Sequence, residues 1–265
     1  MAEVDKNNPL FADVGNDEEF VKRYGTCIGT GMSAVIYARD EVAAKVYREG
    51  QKAFQAFKEA FTLSVVGELG IPAPRVYGVE TFQGRTAVLM DQVRGVSLSD
   101  IMGESVDKVP ECLDKAVELQ IAMHNATFSD FVPQKNMVRG MILDGPGLTD
   151  GERKMLLKKL DSLPEGSSIC HGDFHCGNIL FNGTSYQIID WAEVSSGCPA
   201  ADACRSYLDY WFMSEELAEM YLERYCRLSG KPREEVLAWL PVMAGSLYGY
   251  LSEEAKKMAA LFFRK

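Results

Sequence analysis

The first third of the chain alternates short apolar runs with glycines and polar turns, a pattern that predicts β-strands. One run, 24–28, leads into a glycine-rich stretch at 29–34. Two more runs, 35–38 and 42–47, are separated by a charged turn, and a fourth lies at 86–93. Because strands joined by such short turns pair antiparallel, the pattern predicts a small antiparallel sheet.

Helical spacing replaces this alternation elsewhere. Phe54, Phe57 and Phe61 lie three and four positions apart and predict a helix over 53–69, which Gly70 ends. Later segments with helical character are 111–128, 202–226 and 233–263.

These elements predict an α+β fold of two lobes. The small N-terminal lobe, 1–91, would hold the antiparallel sheet and one main helix, and the larger C-terminal lobe, 92–265, would be mainly helical. With 265 residues the chain can bury a substantial core. A hydrophobic fraction of 47% with 25% charged residues is ordinary for a soluble enzyme.

Polar residues of catalytic type gather around a later hairpin. The stretch 170–178 reads Cys-His-Gly-Asp-Phe-His-Cys-Gly-Asn, and the following Asn182-Gly183 separates two strand-like runs, a strong hairpin signal. Since paired strands lie about 5 Å apart, closing this hairpin would bring Asn178 beside Asp190. Two oxygen ligands suit Mg²⁺, which completes its shell with water and phosphate. Asp173, just before the hairpin, is then placed to accept a proton from an attacking hydroxyl, as phosphoryl transfer requires.

The same stretch raises the alternative of a zinc site, because two cysteines and two histidines fall within 170–176. Structural zinc sites usually take their ligands as two separated pairs. That spacing is absent from this stretch, so the sequence favours oxygen ligands.

A phosphate-binding region is predicted upstream. The stretch 29–34 reads Gly-Thr-Gly-Met-Ser-Ala, and its glycines allow backbone N–H groups to approach phosphates. A strand follows it, whereas a dinucleotide-binding fold would need a helix there. Lys45 lies among alanine and valine on the next strand, so we expect it to point inward. A buried ammonium needs a partner, and Glu59 on the helix is the candidate that would hold it for the phosphates.

Together these motifs resemble the aminoglycoside phosphotransferase and choline kinase family, which shares the protein-kinase-like fold. The resemblance runs from about Tyr24 to about Tyr210, and 171–178 with Ile189-Asp190-Trp191 is its most specific part. It implies Asp173 as the catalytic base, Asn178 and Asp190 as Mg²⁺ ligands, Lys45 on the ATP phosphates and Glu59 as the partner that orients Lys45.

The resemblance implies supporting roles as well. Gly29, Gly31 and Ser33 would contact the phosphates, His171 would support the catalytic loop by hydrogen bonding, and Asp202 would be structural, as a helix cap. Adenine would hydrogen-bond to backbone just after a gatekeeper residue, and the corresponding positions here are Met90, Asp91 and Val93. ATP is the expected nucleotide, with GTP left open.

Departures from protein kinases favour a small-molecule acceptor. Asp190-Trp191-Ala192 replaces Asp-Phe-Gly, and only a few residues separate it from Asp202, which leaves no long activation loop for a peptide. The leading hypothesis is an ATP- and Mg²⁺-dependent kinase for a hydroxyl of an aminoglycoside-like or other small, cationic acceptor, with a role in antibiotic resistance as one interpretation. A nucleic-acid partner is disfavoured by a net charge of −10. Acidic residues that could attract a cation are Asp209, Glu215, Glu216, Glu219 and Glu223.

Two alternatives stay open. A metabolic kinase for choline, ethanolamine or a sugar could use an aromatic cage for a quaternary amine, drawn from Tyr207, Tyr210, Trp211, Trp239, Tyr248 and Tyr250. A nucleotide-binding regulator without turnover is the other, although the predicted catalytic residues are all present.

Seven cysteines cannot all pair, so reduced thiols in a cytoplasmic protein are expected. Met1–Lys6 lacks the apolar core of a signal peptide, and the longest apolar stretch, 236–251, is too short to span a bilayer. We therefore expect no membrane partner, and a monomer or weak dimer.

Overall fold

A computed structural model describes residues 18–31 and 33–264. The start of the predicted N-terminal lobe and Met32 of the glycine-rich stretch lie outside the described residues. Internal contacts divide the chain into two units: the first runs to Gly95 and includes Leu180–Ala192, and the second comprises Val96–Ile179 and the residues from Glu193 onward. The segment that ends in Asp190 therefore groups with the N-terminal sheet, whereas the predicted boundary at 91 had left it with the C-terminal lobe.

The first unit is built on a five-stranded antiparallel sheet in the order β1-β2-β3-β5-β4. Its strands are β1 Thr26–Thr30, β2 Ala34–Arg39, β3 Val42–Tyr47, β4 Val76–Phe82 and β5 Arg85–Asp91. Helix α1, Glu18–Tyr24, contributes Phe20 to a core that contains Tyr37 of β2 and Val46 of β3. The predicted antiparallel sheet is thus confirmed, and aromatic and β-branched side chains make its apolar layer.

The main helix of this unit, α2, spans Phe54–Glu68, close to its predicted bounds. Gly70 follows with a φ of +73°, a conformation that glycine adopts without strain. The phenylalanine stripe that predicted the helix faces away from the protein, because Phe54 and Phe57 are each 60% exposed. The buried face carries Glu59 and Leu63 instead, so the spacing identified the helix but not the side that packs.

A short hairpin completes the first unit. Its strands are β8, Ile179–Phe181, and β9, Tyr186–Ile188. The turn between them is longer than the two-residue Asn-Gly turn that the sequence predicted. The side-chain oxygen of Asn182 accepts hydrogen bonds from the N–H groups of Thr184 and Ser185 at 3.0 and 2.9 Å, which stabilises a four-residue loop.

The second unit is mainly helical. Its helices are α3 Leu98–Glu104, α4 Val109–His124, α5 Gln134–Asp144, α6 Asp150–Ser162, α7 Pro199–Met213, α8 Glu215–Ser229, α9 Arg233–Leu237, α10 Leu240–Leu247 and α11 Glu253–Phe263. Its strands are β6 Val96–Ser97, β7 Ser168–Cys170 and β10 Ser195–Gly197, of which β7 and β10 pair antiparallel.

Two predicted helices of this unit are interrupted. The segment 202–226 is broken at Ser214, whose hydroxyl accepts from the N–H of Leu217 and caps α8. The segment 233–263 forms three helices, and Pro241 lies in the first turn of α10, where a missing N–H costs nothing. Among the described residues no helix has the length and apolarity to cross a bilayer.

Candidate active site

In the first unit, Lys45 lies between two carboxylates. Its Nζ is 2.7 Å from Oε1 of Glu59 and 3.0 Å from Oδ1 of Asp190. Lys45 and Glu59 are 8% and 4% exposed, so the inward direction of Lys45 and its predicted partner are both observed. Burial alone would lower the pKa of Lys45, but the two carboxylates outweigh it and raise that pKa above its ordinary value. The lysine therefore remains a cation in this apolar sheet.

Asp190 follows β9 in an unusual backbone conformation, with a φ of +63°. This left-handed turn is uncommon outside glycine, asparagine and aspartate. The neighbouring Trp191 is fully buried, and its indole N–H donates to the carbonyl of Ile188 at 2.9 Å. Lys58 on α2 donates to the carbonyl of Ala192 at 2.9 Å. Contacts on both sides thus hold the Asp190 turn, while its side chain stays 49% exposed and open to a ligand.

The described residues of the glycine-rich stretch belong to strands β1 and β2 or lie between them. The N–H of Gly31 donates to the carbonyl of Ala34 at 2.9 Å, and Gly29 lies within β1 opposite Ile36. Arg48, just past β3, donates to the carbonyl of Gly31 at 3.0 Å and through its own N–H to the carbonyl of Ser33 at 2.8 Å. Arg48 thus braces both sides of the loop.

The predicted adenine-binding positions lie at the end of β5. Met90 pairs with Ala43 of β3. The N–H of Asp91 donates to the carbonyl of Arg75 at 2.9 Å, and the Asp91 carboxylate accepts from the N–H of Arg75 at 3.0 Å and from the hydroxyl of Tyr77. The N–H of Asp91 is thus committed within the protein, so adenine recognition at Asp91 would have to use its carbonyl. Recognition at Val93 stays a prediction.

In the second unit, Asp173 is held through both carboxylate oxygens. Its Oδ1 lies 3.0 Å from Nη2 of Arg205, and its Oδ2 lies 3.3 Å from Nδ2 of Asn178. Burial alone would raise the pKa of Asp173, but the His175 ring and the Arg205 guanidinium lower it to about 2. The group is therefore a fixed, ionised hydrogen-bond acceptor. Arg205 also pairs with Asp209 one helical turn later in α7.

Asn178 is oriented by the loop that precedes it. Its Nδ2 donates to the backbone carbonyl of Asp173 at 2.9 Å as well as to the Asp173 carboxylate. This directs the amide N–H groups into the loop and leaves the amide oxygen as a donor atom for a cation. Among the described residues no three His, Cys, Asp or Glu side chains group as a metal site. Mg²⁺ needs few protein oxygens, because water and phosphate complete its shell. Asn178 and Asp190 have the right chemistry and belong to the second and first units respectively.

His171 and Asp202 both contact the loop that carries Asp173. The expected helix cap at Asp202 is wrong, because Cys198 is the N-cap residue of α7. His171 is fully buried, and its Nδ1 lies 3.2 Å from the N–H of Asp173. Asp202, in the first turn of α7, accepts from the N–H of Gly172 at 2.8 Å and contacts His124 at 3.0 Å. A side chain on Gly172 is excluded, because a Cβ there would lie 2.5 Å from the carbonyl oxygen of Glu193. These buried contacts explain how the loop keeps one conformation.

Three residues at these sites were absent from the sequence prediction: Tyr47, Arg48 and Arg205. Tyr47 shares a strand face with Lys45, a period-two signal that the sequence contains. Arg205 looks like an ordinary helix residue, and its contact with Asp173 spans 32 positions, so no local pattern identifies it.

Comparison with known proteins shows which family the chain belongs to. Residues 28–239 match the model of the phosphotransferase enzyme family known as APH, and the chain belongs to that family. A comparison with curated protein sequences gives no match.

Solved structures show the same protein-kinase-like fold. A thermostable mutant of aminoglycoside phosphotransferase APH(4)-Ia, in complex with AMP-PNP and hygromycin B, has a TM-score of 0.69 at 15% identity, covering 93% of this chain and 97% of its own. Choline kinase LicA from Streptococcus pneumoniae has a TM-score of 0.64 at 13% identity, covering 89% and 90%. Aminoglycoside phosphotransferase APH(3'')-Id from Streptomyces rimosus, with ADP and streptomycin, has a TM-score of 0.60 at 16% identity, covering 89% and 95%.

Proposed function

We propose that this phosphotransferase uses ATP and Mg²⁺ to phosphorylate a hydroxyl of a small acceptor, aminoglycoside-like or otherwise cationic. The observation that carries the proposal is the buried Lys45, held by Glu59 at 2.7 Å beside Asp190. This is the arrangement by which kinases orient nucleotide phosphates. Solved relatives of the same fold that bind AMP-PNP or ADP support ATP as the donor.

Each side chain has a definite part in this mechanism. Lys45 would neutralise the charge of the nucleotide phosphates, and Asp190 and Asn178 would hold the metal, which supplies further charge neutralisation on the phosphates. Asp173 would align the acceptor hydroxyl and accept its proton. Because the Asp173 carboxylate is already ionised and held at both oxygens, most of the rate enhancement would come from positioning and electrostatics.

Fewer of the predicted acidic residues are free to attract a cationic acceptor than the sequence suggested. Glu219 pairs with Arg233 at 2.7 Å and accepts from the hydroxyl of Tyr207 at 3.0 Å, while Asp209 pairs with Arg205. Two of the predicted acidic residues are therefore already neutralised by arginines. A cationic acceptor remains part of the proposal, but these two carboxylates do not supply free charge for it.

The aromatic cage for a quaternary amine finds little support. Tyr207, Tyr210 and Trp239 are buried in the core. At Tyr248, the Arg264 guanidinium lies 4.2 Å from the ring centroid and covers one face of the ring. Of the predicted cage, Trp211 and Tyr250 are not buried in the core, so the metabolic alternative would have to rely on these two or on other residues.

A coupled ADP-release assay tests the proposal directly. Wild-type protein is incubated with ATP and Mg²⁺ over a panel of aminoglycosides, choline, ethanolamine, sugars and macrolides, with chelator as the metal-free control. We expect one acceptor to accelerate ADP release, and Asp190→Ala to abolish both that acceleration and Mg²⁺-dependent nucleotide binding. Nucleotide binding without acceleration by any acceptor would instead support the regulator, and absence of binding would refute the kinase.

A further inference from the structure

We propose that Tyr47 is a positioning residue of the nucleotide site, whose hydroxyl holds Glu59 and thereby sets the direction of Lys45. The inference rests on the proposed function, because it assigns Tyr47 a role in orienting the lysine that would meet the phosphates. It adds a fourth member to the group formed by Lys45, Glu59 and Asp190.

The strand places Tyr47 where this contact is possible. Lys45 and Tyr47 are two residues apart in β3, so their side chains leave the same face of the sheet, roughly 6.6 Å apart along the strand. Both are buried, at 8% and 6% exposure. Glu59, on the buried face of α2, lies against this strand face and can contact both side chains at once.

The Glu59 carboxylate divides its two oxygens between them. Oε1 accepts from Nζ of Lys45 at 2.7 Å, and Oε2 accepts from the hydroxyl of Tyr47. These are the hydrogen bonds that Glu59 makes to side chains within the described ranges 18–31 and 33–264. Because a buried carboxylate oxygen without a donor carries a large desolvation cost, the Tyr47 hydroxyl determines which oxygen remains for Lys45.

Loss of the Tyr47 hydroxyl would change the position of Lys45, because Lys45 contacts both Glu59 and Asp190. Its Nζ also lies 3.0 Å from Asp190, so the lysine is balanced between two carboxylates. Without the Tyr47 hydroxyl, Glu59 would rotate to offer both oxygens to Lys45. The ammonium would then be drawn toward α2 and away from Asp190, on the side where nucleotide would bind.

The Tyr47 hydroxyl can be removed without changing how the ring packs. The Tyr47 carbonyl accepts from Nε of Arg85 at 2.8 Å, and β3 pairs with both β2 and β5. These contacts hold the backbone independently of the hydroxyl, and phenylalanine would fill the same space as the ring. Tyr47→Phe therefore removes the hydrogen bond to Glu59 and a long 3.5 Å contact with the carbonyl of Gln55, while the strand stays in place.

The experiment measures affinity for Mg²⁺·AMP-PNP by calorimetry, which needs no knowledge of the acceptor. We expect Tyr47→Phe to weaken binding roughly 3- to 10-fold, as for the partial loss of a hydrogen bond to a charged group. Its melting temperature should stay close to that of the wild type. Tyr24→Phe is the matched control, since it deletes another buried hydroxyl of the same unit, on a ring that packs against Phe20, Tyr37 and Phe82. Its affinity should match the wild type.

A double-mutant cycle with Glu59→Gln separates positioning from general destabilisation. If Tyr47 acts through Glu59, adding Tyr47→Phe to Glu59→Gln will cause little further loss. Wild-type affinity in Tyr47→Phe, or losses that add independently, would overturn the inference while leaving the kinase proposal intact. Failure of the wild-type protein to bind the nucleotide would overturn the proposed function and the inference with it.

Discussion

Each unit of the protein contains a cation between two carboxylates, and the two groups differ in the cation. In the first unit it is Lys45, between Glu59 and Asp190. In the second it is Arg205, between Asp173 and Asp209. The first group joins residues 145 positions apart, whereas Arg205 and Asp209 are one turn apart on α7.

The choice of cation matches what each group would do. A lysine ammonium is a compact charge on a flexible stem and can exchange one partner for another, such as a phosphate. An arginine guanidinium is planar and holds two partners in a fixed fork. On the proposed function, Lys45 of the first group would pass to the nucleotide phosphates, and Arg205 of the second would keep the Asp173 carboxylate in place.

The largest effect is expected at Asp173, the carboxylate of the second group that we propose as the base. Asp173→Asn should lower turnover by about 10²- to 10⁴-fold, because a neutral amide cannot accept the hydroxyl proton. Affinity for Mg²⁺·AMP-PNP should stay within about threefold, since the substitution preserves shape and leaves the Lys45 group untouched. ADP release and calorimetry measure the two quantities. Unchanged turnover would remove Asp173 as the proposed base.

An intermediate effect is expected when Arg205, which contacts the Asp173 carboxylate, is replaced. Arg205→Met should lower turnover on the order of 10- to 100-fold at little-changed KM for ATP, because a misplacement of about 1 Å can cost about 10²-fold. Arg205→Lys should recover only part of the rate, since an ammonium cannot reproduce the fork to two carboxylates.

The control for this series is Arg139→Met, which breaks a surface ion pair of 2.6 Å with Asp161 in the same unit. Its turnover should equal that of the wild type. If Arg205→Lys were fully active, positive charge alone would suffice, and the contrast between the two cations would fail.

The smallest effect is expected at the outer partner of the arginine. Asp209→Asn should reduce turnover by less than about fivefold, because Arg205 keeps its 3.0 Å contact with Asp173. Within the described residues, Oδ2 of Asp209 makes no hydrogen bond, so little bonding is lost there. Turnover and melting temperature are the measurements. A loss as large as that of Arg205→Met would show that Asp209 is what orients the arginine.

Periodicity was enough to predict the parts of the site that lie on regular elements. Alternation along β3 predicted an inward Lys45, and the helix that carries Glu59 follows from its phenylalanine spacing, although those phenylalanines are exposed. The loop from His171 to Asn178 was recognised by its residue types.

Contacts that depend on backbone turns or on tertiary packing were beyond the sequence. The Lys45–Asp190 pair lies next to the left-handed turn at Asp190, and although aspartate tolerates that conformation, its propensity is too weak to predict it. The Arg205–Asp173 pair depends on how α7 packs against the loop that carries Asp173. The sequence did not predict the helix break at Ser214. A serine can lie within a helix or cap the start of a new one, and here it caps α8.

The grouping of Leu180–Ala192 with the first unit has a consequence for how the protein is made. The N–H of Ile188 donates to the carbonyl of Pro72 at 2.7 Å, and Asp190 contacts Lys45, so the first unit receives the segment Leu180–Ala192 long after its five-stranded sheet has been made. During synthesis on the ribosome, about 85 residues of intervening chain would have to follow the N-terminal sheet before Asp190 could contact Lys45. A recombination event that exchanged the first unit would likewise have to cross the gene at more than one point.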